Sequence, residues 1–130
     1  MAHQQETRLR ELYARFAAGD LAAFLDGCTD DVIFAVPGYA SVSGTYRRGE
    51  FEEWIGSIIA RTDGTFREDV LDVFANDEHG ALLLVHHFDR DGHHHEYQTA
   101  HLVEFRDAKI ARWTEHPGSM HEFEAAWGRP

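Results

Sequence analysis

The sequence predicts an α+β domain: a curved antiparallel sheet wraps over N-terminal helices and leaves a cone-shaped pocket at its open end. Three observations point there. Helically spaced apolar residues gather in the first half of the chain. Four strand-like stretches follow one another in the second half, two of their connections being tight turns at Asp91-Gly92 and Asp107-Ala108. Helices early and strands late is the α+β order, and a strongly curved sheet laid over helices encloses a cavity.

The elements follow in chain order. Leu9, Leu12, Tyr13, Phe16 and Ala17 share a helical stripe, and Gly19 is a natural stop. Asp20 can cap a second short helix that buries Leu21, Phe24, Leu25 and Cys28. Val32 to Val36 reads as a buried strand closed by Pro37-Gly38. Residues 37–49, with one proline and three glycines, read as a loop. Phe51, Trp54, Ile55, Ile58 and Ile59 give the strongest helix. Strands are expected at about 65–75, 81–90, 93–105 and 109–116. A final amphipathic segment holds Met120, Phe123 and Trp127.

Length places all of 1–130 in one domain. The formal charge of −11 would repel a phosphate backbone, so nucleic acid is not an expected partner. The longest apolar run, Ala81 to Val85, is far too short for a membrane span, and the polar start carries no leader-like segment. One cysteine, Cys28, excludes an internal disulfide. The expectation is a cytoplasmic protein.

The stretches LYARFAAGDLAAFLDGCTDDVIFAVPG, SGTYRRGEFEEWI and HLVEFRDAKIARW resemble the SnoaL-like branch of the nuclear transport factor 2-like superfamily, which includes ketosteroid isomerase. The resemblance covers residues 6–127, about the whole chain. It implies the cystatin-like cone, a pocket for a small apolar ligand, and a homodimer formed through the outer face of the sheet. The activity is left open, because one fold hosts isomerases, cyclases, hydrolases, dehydratases and non-catalytic binders.

Strand parity decides which side chains meet in the cone. A two-residue turn at Asp91-Gly92 pairs Arg90 with His93, and therefore His86 with Tyr97, Leu84 with Thr99 and Leu82 with His101. The other face then carries Leu83, Val85, His87, Ala100 and Leu102. Periodicity alone does not say which face looks inward. The resemblance does: His101 stands where ketosteroid isomerase places a protonated aspartic acid of its oxyanion hole. In the next hairpin, a bulge at Asp107-Ala108 brings Ala111, Trp113 and Glu115 inside; without it Ile110, Arg112, Thr114 and His116 would face inward. Family members use the bulge, usually with glycine where Ala108 stands.

His101 is thus the leading candidate for acid–base chemistry, with Tyr97, His86 and Glu115 assisting. Each also has a structural reading, as a buried group that has found a partner or, for Glu115, as a solvated strand end. Tyr13, Phe16, Phe34, Val36, Trp54, Ile58, Leu84, Thr99 and Trp113 are the expected ligand-binding lining. The resemblance also marks departures. Val36 occupies the place of the isomerase's aspartate base. The isomerase's helix-one tyrosine falls near Leu12, so Tyr13 is offset by one residue, about 100° around the helix. Of that set only the donor at His101 is expected to remain.

No cofactor and no metal are expected. His93, His94 and His95 alternate faces, and His95 lies roughly 20 Å along the strand from His101. Cys28 belongs to an apolar stripe, and SGTYRRGE lacks the spacing and lysine of a phosphate loop. Two functions remain open: a cofactor-free acid–base enzyme acting on a polyketide- or terpenoid-like molecule, and a dimeric binding domain without chemistry.

Overall fold

The computed structural model describes residues 2–130. Helices α1 (Gln4–Ala17) and α2 (Leu21–Asp26) lead into strand β1 (Cys28–Val36). Strand β2 (Gly44–Arg47), a 3-10 turn (Arg48–Glu50) and helix α3 (Phe51–Arg61) follow. Strands β3 (Arg67–Ala75), β4 (His79–Arg90), β5 (His93–Arg106) and β6 (Lys109–Pro117) form the meander, and helix α4 (Met120–Trp127) ends it. The six strands make one sheet in the order β2-β1-β6-β5-β4-β3. All neighbours are antiparallel except β1 and β6, which run parallel.

Local chemistry explains the helix boundaries. Gly19, at φ 81°, takes the left-handed conformation just beyond α1, where a side chain would be strained. The Asp20 carboxylate then accepts from the Ala23 amide at 3.1 Å and caps α2. In α3 the stripe Phe51, Trp54, Ile55 and Ile58 is buried, while Ile59 is about half exposed. Phe24, Phe34, Phe51, Trp54 and Trp113 pack ring against ring between helices and sheet.

One expected loop is partly a strand. Residues 44–47 pair with β1, Val36 facing Gly44 and Ile33 facing Arg47, and β2 becomes an edge of the sheet. The glycines around it hide the strand from periodicity, because an edge this short has no buried face to pattern.

The β4–β5 hairpin has the register that its two-residue turn dictates: Arg90 faces His93, His86 faces Tyr97 and Leu82 faces His101. The next hairpin closes at Asp107-Ala108 as a two-residue turn, Arg106 facing Lys109. The bulge expected there lies instead at Ala111, between Ile110, which faces Phe105, and Arg112, which faces Glu104. Ile110 rather than Ala111 therefore joins Trp113 and Glu115 among the buried residues. Asp107 and Ala108 both take positive φ, 52° and 64°. Arg8 of α1 donates to the Ala108 carbonyl at 2.7 Å and helps hold this strained turn. A further slip lies in β3, between Val70 and Asp72. It moves Val73 and Glu68, five residues apart, onto the same inner face.

Candidate functional site

Two parallel relays run through the interior. The Trp113 indole N–H donates to the Tyr13 hydroxyl at 2.9 Å, and that oxygen lies 2.6 Å from His101 Nδ1. The Trp127 indole N–H donates to the Tyr97 hydroxyl at 2.7 Å, and that oxygen lies 3.0 Å from His86 Nδ1. Each phenol therefore accepts one indole hydrogen and has its own left to give. Its remaining partner is an imidazole nitrogen, so the neutral rings carry their hydrogen on Nε2; the tautomer is assigned from this inventory. Both histidines present Nε2 to the cavity and keep Nδ1 tied to the wall.

Two carboxylates meet those Nε2 atoms. Glu68 Oε2 is 2.8 Å from His86 Nε2 and 4.0 Å from His101 Nε2. Glu115 Oε2 accepts from the Thr99 hydroxyl at 2.8 Å and lies 3.5 Å from His101 Nε2. It is also 3.7 Å from His86 Nδ1. Burial pushes the Glu115 carboxyl up, but the His86 and His101 imidazoles and the Thr99 hydroxyl outweigh it and hold its pKa at about 2. His86 goes the opposite way: burial disfavours its charge, yet Glu115 and Glu68 raise it above the usual histidine value. Burial chiefly, with the nearby carboxylates, raises Tyr13 and Tyr97 well above the ordinary phenol, so both stay protonated donors.

Among the described residues, two buried polar atoms of the lining have no hydrogen-bond partner, His101 Nε2 and Trp54 Nε1. A buried donor left unpaired costs about 1–3 kcal/mol, so such atoms mark places where a water or ligand oxygen fits. The cavity they face measures about 50 Å³. That holds water, and is far below the roughly 300–1,000 Å³ of pockets for drug-sized ligands. A groove of about 290 Å³ adjoins it and shares Phe16, Ile55, Ile58, Phe66 and Glu68 with it.

Residues 9–113 match the SnoaL-like domain family. The chain belongs to that family. Among curated proteins none matches this SnoaL-like domain. Solved structures agree on its fold. A cystatin-like protein of unknown function from Xanthomonas campestris is 25% identical, at TM-score 0.81 over 99% of this chain and 100% of that one. A nuclear transport factor 2-like protein from Burkholderia pseudomallei K96243 is 17% identical, at TM-score 0.84 over 96% and 98%. TerC, co-crystallised with polyporic acid, is 18% identical, at TM-score 0.79 over 92% and 95%.

In this SnoaL-like domain the expected residues mostly converge. His101, Tyr97, His86, Tyr13, Phe16, Phe34, Val36, Trp54, Ile58, Trp113 and Glu115 all line the central cavity. Leu84 and Thr99 are buried behind them, Thr99 holding Glu115. The bulged register puts Trp113 and Glu115 inside, and Glu115 is a buried member of the wall rather than a solvated strand end. The offset at Tyr13 does not remove a hydroxyl from the pocket. Tyr13 reaches His101 directly, and its one hydroxyl hydrogen is committed to that ring. A phenol is long enough for its oxygen to arrive from a neighbouring helical position.

Glu68, Phe66 and Trp127 were missed. Glu68 is hidden by the β3 slip, since alternation counted back from Val73 puts it outside. The signal that could have found it is its pairing with His86 across the β3–β4 ladder. Trp127 depends on where α4 docks, which no local pattern records.

Ligand atoms of Glu68, His86 and His101 lie within 4.8 Å of one another, close enough for a cation to bridge. The relays argue for protons there instead: in the neutral tautomers the Nε2 lone pairs are occupied by hydrogen, and His86 Nε2 already faces Glu68. A second group with this spacing, His87, His94 and Glu96, sits on the opposite face of the sheet.

Proposed function

We propose that this domain is a cofactor-free acid–base enzyme acting on an apolar, oxygen-bearing molecule of the polyketide or terpenoid kind, by isomerisation, cyclisation or hydration. One observation carries this reading. His101 Nε2 is fully buried, unpartnered and held between two carboxylates at the wall of the cavity. The Nε2 hydrogen is placed to donate to a substrate carbonyl or hydroxyl while Glu68, at the border between cavity and groove, removes a proton from carbon or water. Glu115, held ionised 3.5 Å from that Nε2, polarises the N–H toward its role as a donor. Tyr13 fixes the ring, and Trp54 Nε1 offers a second donor for a substrate oxygen.

The small cavity sets the terms. A substrate enters by way of the adjoining groove, with its apolar body on Phe16, Ile58 and Phe66 and its oxygen directed at His101. The shared lining side chains must shift to admit it. TerC, a protein of similar fold, was co-crystallised with polyporic acid, which supports an organic small-molecule ligand for this fold.

The narrowness of the cavity and the pairing of most of its polar groups also support a second reading, that of a binding domain without chemistry. A thermal-shift screen of apolar ketones, lactones and aromatic polyketides decides between them, followed by NMR of α-hydrogen exchange in D2O. Proton abstraction from carbon is expected to appear as exchange of the α-hydrogens of a stabilising ketone by wild-type protein, lost in His101→Phe and Glu68→Gln. Hydration is expected to appear as incorporation of solvent oxygen, lost in the same variants. Ligands that stabilise wild type and His101→Phe equally, without exchange or oxygen incorporation, leave binding alone.

A further inference from the structure

Beyond the cavity, the outer face of the β4–β5 hairpin carries its own cluster. The tight turn fixes two cross-strand pairs there, His87 with Glu96 and Asp89 with His94. Each pair joins a histidine to an acid, in swapped order, so the imidazoles lie diagonally with ring centroids 6.2 Å apart. His87 Nε2 is 2.6 Å from Asp69 Oδ2 of β3, and His94 Nδ1 is 2.8 Å from Asp89 Oδ1. The other nitrogen of each ring faces one oxygen: Glu96 Oε1 is 2.7 Å from His87 Nδ1 and 4.0 Å from His94 Nε2.

We propose that this cluster is a binding site for a divalent transition-metal ion of the zinc class, held by His87 Nδ1, His94 Nε2 and Glu96 Oε1. The backing groups differ in kind from those of the inner histidines. Asp69 and Asp89 are acceptors that hold a ring hydrogen on the nitrogen turned away from Glu96. His87 Nδ1, 2.7 Å from Glu96 Oε1, carries a hydrogen too, which leaves as the ion enters between them. This carboxylate–histidine arrangement is what orients imidazoles toward metals. Ligand atoms about 2.1 Å from a tetrahedral ion stand about 3.4 Å apart. The observed 2.7 and 4.0 Å straddle that value, and side-chain adjustment at the exposed His94 and Glu96 closes the difference. Two imidazoles and one carboxylate select zinc, copper, nickel or cobalt over magnesium or calcium. Asp69 and Asp89 add negative charge directly behind the two rings, answered by Arg67 at 3.8 Å from Asp69. His87 is largely covered, whereas His94 and Glu96 are more than half exposed, which leaves the ion's remaining positions open to water. The ion would clamp the hairpin whose inner face carries His86 and Tyr97.

The test uses untagged protein stripped with EDTA and titrated with zinc chloride by calorimetry, with magnesium chloride as control. One zinc per chain, a raised Tm, and affinity at least tenfold weaker in both His94→Ala and Glu96→Gln are expected. Asp89→Asn should weaken binding while leaving the ligands in place, by about tenfold. Long-range 1H–15N spectra should show His87 Nδ1 and His94 Nε2 moving on zinc addition. Zinc affinity unchanged in His94→Ala and Glu96→Gln overturns the proposal, as does loss of binding in Glu68→Gln alone, which would place the ion in the inner cluster. Both outer substitutions lie at exposed positions, so circular dichroism readily separates lost binding from lost fold.

Discussion

The Tyr13 hydroxyl lies 2.6 Å from His101 Nδ1 and accepts the Trp113 indole N–H from its other side at 2.9 Å. One phenol on α1 thus sets the tautomer and orientation of an imidazole on β5. Tyr13→Phe would leave the buried Trp113 N–H unpaired and free the His101 ring to change tautomer. The expected cost is about 1–3 kcal/mol in denaturant unfolding, with a change in the His101 ring 15N shifts. A variant as stable as wild type with unaltered ring shifts would show that the relay does not hold the ring.

Acid should expose the role of Glu115. Its folded pKa of about 2 lies below the ordinary value of 4.5, so the ionised form is favoured by folding. That contribution is complete above about pH 4.5 and is lost as pH falls toward about 2. It amounts to a few kcal/mol. Unfolding by urea between pH 6 and 2.5 should show a steep acid limb, and Glu115→Gln should flatten it. An equally steep limb in the variant would assign acid sensitivity to other carboxylates.

The strained turn at Asp107-Ala108 should be improvable. Ala108, at φ 64°, sits where an L side chain is disfavoured by about 1–2 kcal/mol. Ala108→Gly should gain about 0.5–1 kcal/mol, the added freedom of the unfolded chain taking back part of the relief. The measurement is the shift in Tm, expected upward by a few degrees. A lower Tm would mean that the turn is not left-handed in solution.

On the outer face, Leu83 and Leu102 are 43% and 44% exposed, beside Leu71 and Phe74 at 59% and 51%. We propose that a second copy of the chain covers this apolar patch, as the family resemblance implies. Sedimentation should give a dimer for wild type and a monomer for Leu83→Glu combined with Leu102→Glu, with unchanged circular dichroism. A monomeric wild type at micromolar concentration removes the proposal.

The sequence by itself determined the α+β order, the helix stripes and the hairpin register. These are local matters: a helical repeat, an alternation and a two-residue turn are written in neighbouring residues. Fixing one hairpin also paired His86 with Tyr97 and Leu82 with His101. The choice of that face as the inner one, and of Glu115 in the next hairpin, came from the family resemblance. The sequence did not determine Glu68, which a slip in β3 turns inward, or Trp127, which reaches Tyr97 only after α4 docks. Tyr13 was legible as a residue but not as a partner, since its bond to His101 joins positions far apart in the chain. How tightly the cone is filled was likewise a tertiary outcome. It depends on how rings from the helices and the sheet pack together, and no segment of the chain encodes that sum of volumes alone.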